Sequence, residues 1–486
     1  MPEKREKASS QVAFKEDDLE DGFYNRQHPY GVKPSGNAYF CTQTEAMVRP
    51  FGLGKHLRSI TDEALLEMLS FLTPQELASL SACSRALYVY SHHTDLWRDL
   101  TLRKCEGIPI EYQSSWKETF MVSTQKSNNN YNNNDNNNIA NVKHVPISVN
   151  GIFSNLLHRS WSCRTCDLAT ACPGFYKHND IQRREAKTMN TEQFLNQYEI
   201  PNIPLIITDA VNYWPALKRW NEDFLVSTSC SEDNDKGSIE GPTFRATSAT
   251  APVAATFTLR GYFCYLHQSC EEAPLYLFDR NFAKKMKSLK NDYDVPVYFR
   301  STDDDNVHTT NTIEEEKEKE TSINNTGKIG TDLFRVFGAD ARPDYRWLIC
   351  GPKRSGSIFH IDPNQTNAWN VSIQGRKKWI FYPPHVSPPG VLASADGQDV
   401  TVPISTGEWL LSFWSQHLEA RKNPNPSQRP LEAIVNPGEV IFVPHGYWHM
   451  VVNLDDCIAL THNYVSTSNL ANCLRFLRDK KDQISG

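Results

Sequence analysis

Six short runs constrain the fold of this chain more than anything else in it: IPLIITDA, APLYLFDR, YRWLICGP, KKWIFYPP, EVIFVPHG and CIALTHNYV. Each is four to eight residues of β-branched, aromatic and aliphatic side chains, closed by Gly, Pro, Asp or Asn. Runs of that length, separated by turns and loops, predict strands of a sandwich or barrel. Helical periodicity is sparse after residue 200, apart from SFWSQHLEARKN and the C-terminal NLANCLRFLRDKKD. With 486 residues, 39% apolar and 11% aromatic, the chain can bury a sizeable core and holds more than one domain. No run of about 18 apolar residues exists to span a membrane. The net charge of −6 carries no dominant basic block, so nucleic acid is not the expected partner.

The pattern His-x-Asp/Glu occurs four times, at His93/Asp95, His178/Asp180, His360/Asp362 and His417/Glu419. On a strand, residues i and i+2 share a face, so one imidazole and one carboxylate project together. On a helix they diverge. His93/Asp95 lies in a helical stretch, and so does His417/Glu419. His178/Asp180 has no apolar strand around it. Only His360/Asp362 follows an apolar strand and precedes a turn. In PGEVIFVPHGYWHMVVNL a turn leads into a strand, and a second turn into HMVVNL. A jelly roll brings distant strands face to face, so a histidine from this segment can close a triangle with His360 and Asp362. His445 sits in the turn and His449 starts the strand. Two histidines and a carboxylate leave open positions on a metal, the arrangement of non-haem Fe(II) oxygenases.

An anionic cosubstrate such as 2-oxoglutarate also needs a cation. VSIQGRKKWIFYPP predicts a hairpin with Lys377 and Lys378 just past its turn, and alternation alone does not choose between them. Asn370, Thr461 and Tyr276 are polar groups on otherwise apolar strands, and buried polar groups need partners.

Upstream the texture is helical. Leu65, Met68, Leu69 and Leu72 recur on one helical face. Thr73, Pro74 and Glu76 predict a capped helix start with a capping box. Leu77 and Leu80 continue the face, and Leu87, Leu96 and Trp97 close a bundle of three short helices. ITDEALLEMLSFLTPQELASLSACSRALYVYSHHTDLWRDL resembles an F-box, with Ile60-Thr61 where the motif usually has Leu-Pro. That resemblance implies docking of residues 55–105 on a Skp1-type adaptor of a cullin ubiquitin ligase. Residues 1–50 are polar and irregular, and the Asn-rich 124–143 cannot bury apolar area, so both are expected to be disordered. Polar inserts interrupt the β region at 227–241 and 301–327. The second carries eight acids and two lysines between Asp303 and Glu320, a charge equal to that of the whole chain.

GPKRSGSIFHIDPNQTNAWNVSIQGRKKWIFYPP followed by NPGEVIFVPHGYWHMVVNLDDCIALTHNYVS resembles the JmjC oxygenases. Within them it is most similar to the phosphatidylserine-receptor-like branch of lysyl hydroxylases and proposed arginine demethylases. The resemblance covers roughly residues 150–470, and the whole oxygenase region is expected over 148–478. It implies a mainly β double-stranded β-helix (jelly roll, cupin) with helical additions. It places Fe(II) ligands on His360, Asp362 and His449, and 2-oxoglutarate contacts on Lys377, Asn370, Thr461 and Tyr276. It thus prefers Lys377 to Lys378 and His449 to His445. The implied reaction uses O2 and 2-oxoglutarate to hydroxylate lysine side chains or to demethylate methylated arginine or lysine on proteins with basic side chains, histones among them. The rival reading is a ubiquitin-ligase receptor whose jelly roll only binds its target. Twelve scattered cysteines suit reduced thiols inside a cell, and the expected compartment is the nucleus, with the cytoplasm second. Cys163, Cys166 and Cys172, with His178 as a fourth ligand, could in principle hold zinc; ordinary thiols are expected, because no second paired knuckle exists.

Overall fold

The computed structural model describes residues 27–35, 48–129, 146–231, 241–248, 253–300, 332–393 and 400–484. Its strands are β1 (Arg183–Glu185), β2 (Leu205–Thr208), β3 (Thr243–Thr247), β4 (Ala254–Thr258), β5 (Tyr276–Asp279), β6 (Arg346–Gly351), β7 (Gly356–His360), β8 (Asn367–Gln374), β9 (Lys377–Tyr382), β10 (Leu392–Ala393), β11 (Val400–Thr401), β12 (Leu431–Val435), β13 (Val440–Val443), β14 (Trp448–Asn453) and β15 (Cys457–Tyr464). All six apolar runs are strands. Two facing sheets form the jelly roll. One has nine strands in the order β1-β2-β13-β8-β15-β6-β5-β3-β4, the other four in the order β12-β9-β14-β7. β10 and β11 form a separate two-stranded pair among the described residues.

Each sheet is covered on both faces. Ile206, Ala368, Trp379, Phe381, Ala433, Ile441 and Val451 fill the space between the sheets. Outside the four-stranded sheet, Ile380, Tyr382, Met450 and Val452 pack on Trp409, Leu410 and Trp414 of helix Thr406–Ala420. Outside the nine-stranded sheet, Leu348, Val371 and Leu460 pack with Tyr262 and Leu266 of helix Leu259–Gln268. That helix and Glu222–Ser231 correct the expectation of few helices after residue 200. Both lie where aromatic and polar residues blur the helical period.

The expected hairpin at QGRK is not one. β8 lies in the nine-stranded sheet and β9 in the other, so the turn crosses between sheets. Gly375, at φ +78, makes that crossing, and a Cβ there would stand 2.4 Å from the Asp456 carbonyl oxygen. Arg376 fixes the crossing by donating through Nε to Asp455 Oδ2 at 2.7 Å.

Between residues 62 and 104 the helices are Asp62–Ser70, Pro74–Ser81, Arg85–Ser91 and Thr94–Lys104, four where three were expected. Leu96 and Trp97, expected to close a three-helix unit, lie in the fourth helix, eleven residues long. The Thr73/Glu76 capping box forms as the residues predict. Leu65, Leu69 and Leu77 are buried, whereas Met68 is exposed. The bundle is continuous with the β region: its apolar core and that of the nine-stranded sheet are one cluster. Polar contacts add to this. Ser154 Oγ donates to Asp62 Oδ2 at 2.6 Å, and Arg98 pairs with Glu271 at 3.0 Å.

Two expectations of disorder reach too far, and one polar insert is partly helical. Within 1–50, Val32 is buried and Lys33 forms a β-bridge with Phe153, because Tyr30 and Val32 supply apolar surface to an otherwise polar segment. Helix Trp116–Asn129 continues into the Asn-rich tract. Helix Glu222–Ser231 occupies the start of the 227–241 insert. The remainder of 1–50, 124–143 and 227–241, apart from Gly241, and the whole 301–327 insert lie outside the described residues.

Candidate functional site

β7 delivers His360 at its last residue, and Asp362 follows two residues later, ahead of a short turn at Pro363–Gln365. β14 runs antiparallel to β7 and sets His449 directly opposite His360. The imidazole centroids are 4.2 Å apart, and His449 Nε2 is 4.0 Å from Asp362 Oδ1. The three donor atoms lie within 4.8 Å of one another, and among the described residues no other His/Cys/Asp/Glu group is gathered this way. His360 Nδ1 meets the Ile358 carbonyl at 2.8 Å and His449 Nδ1 meets that of Tyr447 at 3.1 Å. A carbonyl only accepts, so each Nδ1 donates and each Nε2 is the ring nitrogen left for a metal. Burial, then the neighbouring His360, holds His449 well below the ordinary histidine range, hence neutral. Burial lifts the Asp362 carboxyl to about 6, with His360 opposing. Asp362 Oδ2 is buried without a hydrogen-bond partner. Such a carboxylate, facing two imidazole Nε2 atoms, fits a divalent cation.

The triad opens on a cavity of about 240 Å³, which Lys377, Tyr276, Asn370 and Thr461 also line. The structure therefore brings all seven sequence-derived residues together. Asn370 and Thr461 are direct cross-strand partners on β8 and β15. Lys377 begins β9, is 1% exposed, and donates to Tyr276 Oη at 3.1 Å. No carboxylate pairs with it among the described residues, and Asn370 Oδ1 is buried without a partner. A buried ammonium in that state calls for a ligand carboxylate. The fit extends to the backbone: a Cβ at Gly351 would stand 2.2 Å from the Tyr276 ring, so only glycine there leaves the ring its place.

The alternatives fall elsewhere. Lys378 points to the opposite side of β9 and pairs with Glu432 at 2.8 Å. His445 is held outside the triad, between Asn367 and Asn472. His417 is on a helix, between Tyr382 and Glu432. His93 precedes helix Thr94–Lys104, and Asp180 pairs with Arg421. Cys163, Cys166 and Cys172 are free thiols and form no metal-binding group with His178. The sequence reading missed Phe278, Trp347, Trp379 and Asn463, which also line the cavity. Alternation held the signal for three of them, each two residues past a residue already chosen: Tyr276, Lys377 and Thr461.

A two-histidine, one-carboxylate triad inside a double-stranded β-helix, beside a buried lysine awaiting a carboxylate, defines a non-haem iron oxygenase of the 2-oxoglutarate type. Comparison with known proteins agrees. Residues 190–469 match the cupin-like domain family, and residues 62–103 match the F-box-like family. The chain is 35% identical over 459 residues to the arginine-specific demethylase JMJ22 of Arabidopsis thaliana, covering 94% of this chain and 78% of that one. It is 30% identical over 301 residues to the bifunctional arginine demethylase and lysyl-hydroxylase psr-1 of Caenorhabditis elegans, covering 60% and 63%. It is 28% identical over 304 residues to the 2-oxoglutarate and iron-dependent oxygenase JMJD4 of Homo sapiens, covering 59% and 62%. The chain belongs to the cupin-like JmjC family of iron- and 2-oxoglutarate-dependent oxygenases and carries an F-box-like segment at its N-terminal side.

Proposed function

We propose that this chain oxidises side chains of a protein substrate, hydroxylating lysine or demethylating methylated arginine or lysine. The observation that carries this is the shared cavity: His360, Asp362 and His449 at one end, and Lys377 with Tyr276 at the other. His360, Asp362 and His449 are the iron ligands. Lys377 neutralises the distal carboxylate of 2-oxoglutarate, Tyr276 Oη adds a hydrogen bond, and Asn370 and Thr461 orient the cosubstrate. When bound, the iron supplies the activation of O2 that couples cosubstrate decarboxylation to oxidation of a C–H bond.

The chain's own part is to bind, orient and keep water out. The two backbone-anchored histidines hold fixed tautomers. Ala368, Val443, Val451 and Ile349 line the cavity with apolar surface, which keeps bulk water from the reaction. One O2 oxygen ends in succinate, released with CO2, and the other in a hydroxyl on the substrate carbon. On a side-chain carbon the hydroxyl persists. On an N-methyl carbon the C–N bond breaks, giving formaldehyde and an amine one methyl shorter.

The F-box-like helices supply the second half of the proposal, docking on a Skp1-type adaptor. Leu65, Leu69 and Leu77 are core, so contact falls to Phe51, Met68 and Phe71, which are exposed at 81%, 48% and 78%. Among the described residues no helix is long and apolar enough to cross a membrane. Action on histones would place the protein in the nucleus, and a nuclear location, with the cytoplasm second, is part of the proposal. The test is succinate formation by the purified full chain with iron and 2-oxoglutarate against peptides carrying lysine, methyllysine or methylarginine. Mass spectrometry separates a gain of oxygen from loss of a methyl. Absence of succinate with every peptide and without peptide would return the chain to a receptor that only binds its target.

A further inference from the structure

Resting on the oxygenase reading, we propose that Trp347 and Phe278 are the specificity platform of the cavity, selecting an N-methylated cationic side chain over its unmethylated form. β-Sheet register puts both on the inner face. Trp347 is the cross-strand partner of Thr461, and Phe278 is the partner of Ile349 and lies two residues past Tyr276. Their ring centroids are 5.2 Å apart with planes at 33°. Trp347 is half-buried and Phe278 is 39% exposed, whereas Tyr276 and Lys377 are buried. The pair therefore stands at the outer end of the wall whose inner end holds the cosubstrate contacts.

The charge inventory decides what such a wall can hold. Of the described residues lining the cavity, Asp362 is the one carboxylate, and it belongs to the triad. The neighbouring groove is lined by Arg280, Lys284, Arg335, Arg342 and Arg346, with Asp344 the carboxylate among them. A lysine ammonium is strongly hydrated, and entering here it would exchange water for ring faces and a cationic rim, with no acid of its own among the described residues. Methylation spreads the charge and weakens hydration. A methylated cation over Trp and Phe faces keeps the ring attraction at a smaller desolvation cost.

The test is peptide binding by titration calorimetry to the full-length protein with 2-oxoglutarate. The peptides carry lysine, trimethyllysine, the uncharged tert-butyl isostere of trimethyllysine, arginine and dimethylarginine. The methylated peptide of at least one pair binds about three- to thirty-fold more tightly than its unmethylated form, the range of a partly desolvated cation–π contact. Trimethyllysine and dimethylarginine are separate arms, so the larger preference assigns the substrate. Trp347→Leu abolishes the preference and Trp347→Phe retains most of it. Phe278→Leu, at an exposed position, gives the same reading should Trp347→Leu fold poorly. Equal binding of methylated and unmethylated peptides in both arms overturns the proposal. So does an isostere binding as tightly as trimethyllysine where trimethyllysine carries the preference, or a preference that survives both leucine variants. Failure of the oxygenase reading shows separately, as no succinate with any peptide, and leaves the binding comparison readable.

Discussion

Lys377 and Lys378 are neighbours on β9 and are equally buried, yet they face opposite sides of the sheet with opposite fates. Lys377 reaches Tyr276 at 3.1 Å with no carboxylate partner among the described residues, while Lys378 lies 2.8 Å from Glu432. One charge is left for a ligand and the other is neutralised within the fold. Lys377→Ala should therefore raise the 2-oxoglutarate KM roughly ten- to a hundred-fold, from loss of a charge-assisted contact of about 1.5–3 kcal/mol. Lys378→Ala should leave that KM within a few-fold and instead lower stability by about 1–3 kcal/mol, since Glu432 loses one buried partner but keeps Arg421 and His417. Steady-state kinetics and chemical denaturation on both variants check this, and equal KM effects would refute the assignment.

The triad makes a second prediction. His360→Ala and Asp362→Ala should each abolish succinate formation and lower divalent-metal affinity by more than a hundredfold, with the far-UV CD spectrum unchanged. His445→Ala should keep most of the activity, because His445 is bound by Asn367 and Asn472 outside the triad. Calorimetric metal titration is the measurement. An inactive His445→Ala beside an active His449→Ala would show the third ligand to be wrong.

Gly351 packs against the Tyr276 ring at the Lys377 end of the cavity. A methyl group there meets the Tyr276 ring at 2.2 Å and Ser355 Oγ at 2.6 Å. Gly351→Ala should displace the ring and part it from Lys377, raising the 2-oxoglutarate KM about three- to ten-fold, the value of a hydrogen bond of about 1 kcal/mol. An unchanged KM in a stably folded variant would mean that Tyr276 does not contribute to that site.

Acid stability should report Glu432. Burial alone would raise its carboxyl, but hydrogen bonds from His417 and Lys378 and their charges outweigh that and hold it at about 2, below its ordinary 4.5. A folded-state value below the unfolded one stabilises the protein above pH 4.5, and that stability is lost as pH falls from there towards 2. The stake is about 3 kcal/mol. Glu432→Gln should be less stable at pH 7 and should flatten the fall in Tm across that window. A parallel pair of curves would place the acid sensitivity in other groups.

The F-box-like helices offer a test that separates surface from core. Phe71 is 78% exposed and Leu69 is 4% exposed on one helix and its boundary. Phe71→Glu should weaken capture of a purified Skp1-type adaptor at least tenfold without moving Tm. Leu69→Ala should lower stability by about 2–5 kcal/mol. Adaptor binding unaffected by Phe71→Glu and Met68→Glu together would put the contact elsewhere.

Much of this was legible in the chain itself. Strand existence follows from local composition, so all six apolar runs became strands, and the Thr73/Glu76 cap formed because a capping box is closed within four residues. The His360–Asp362 pair was legible for the same reason, since two residues on one extended segment need no tertiary information to share a face. What the tertiary structure alone decided was sidedness and distance. β9 is buried on both faces, so every residue from Lys377 to Tyr382 reads as core, and no alternation marks which lysine enters the cavity. The QGRK turn read as a hairpin because a tight turn between two apolar runs has the same local chemistry whether the strands pair or cross to facing sheets. Only the positive φ at Gly375 and the Arg376–Asp455 contact, 79 residues apart in the chain, distinguish them. Leu65 and Leu69 were legible as an apolar helical face, but whether that face served the chain's own core or a partner was not. That depended on residues almost a hundred and more positions away, Ser154 and Glu271 among them, which hold the bundle against the β region.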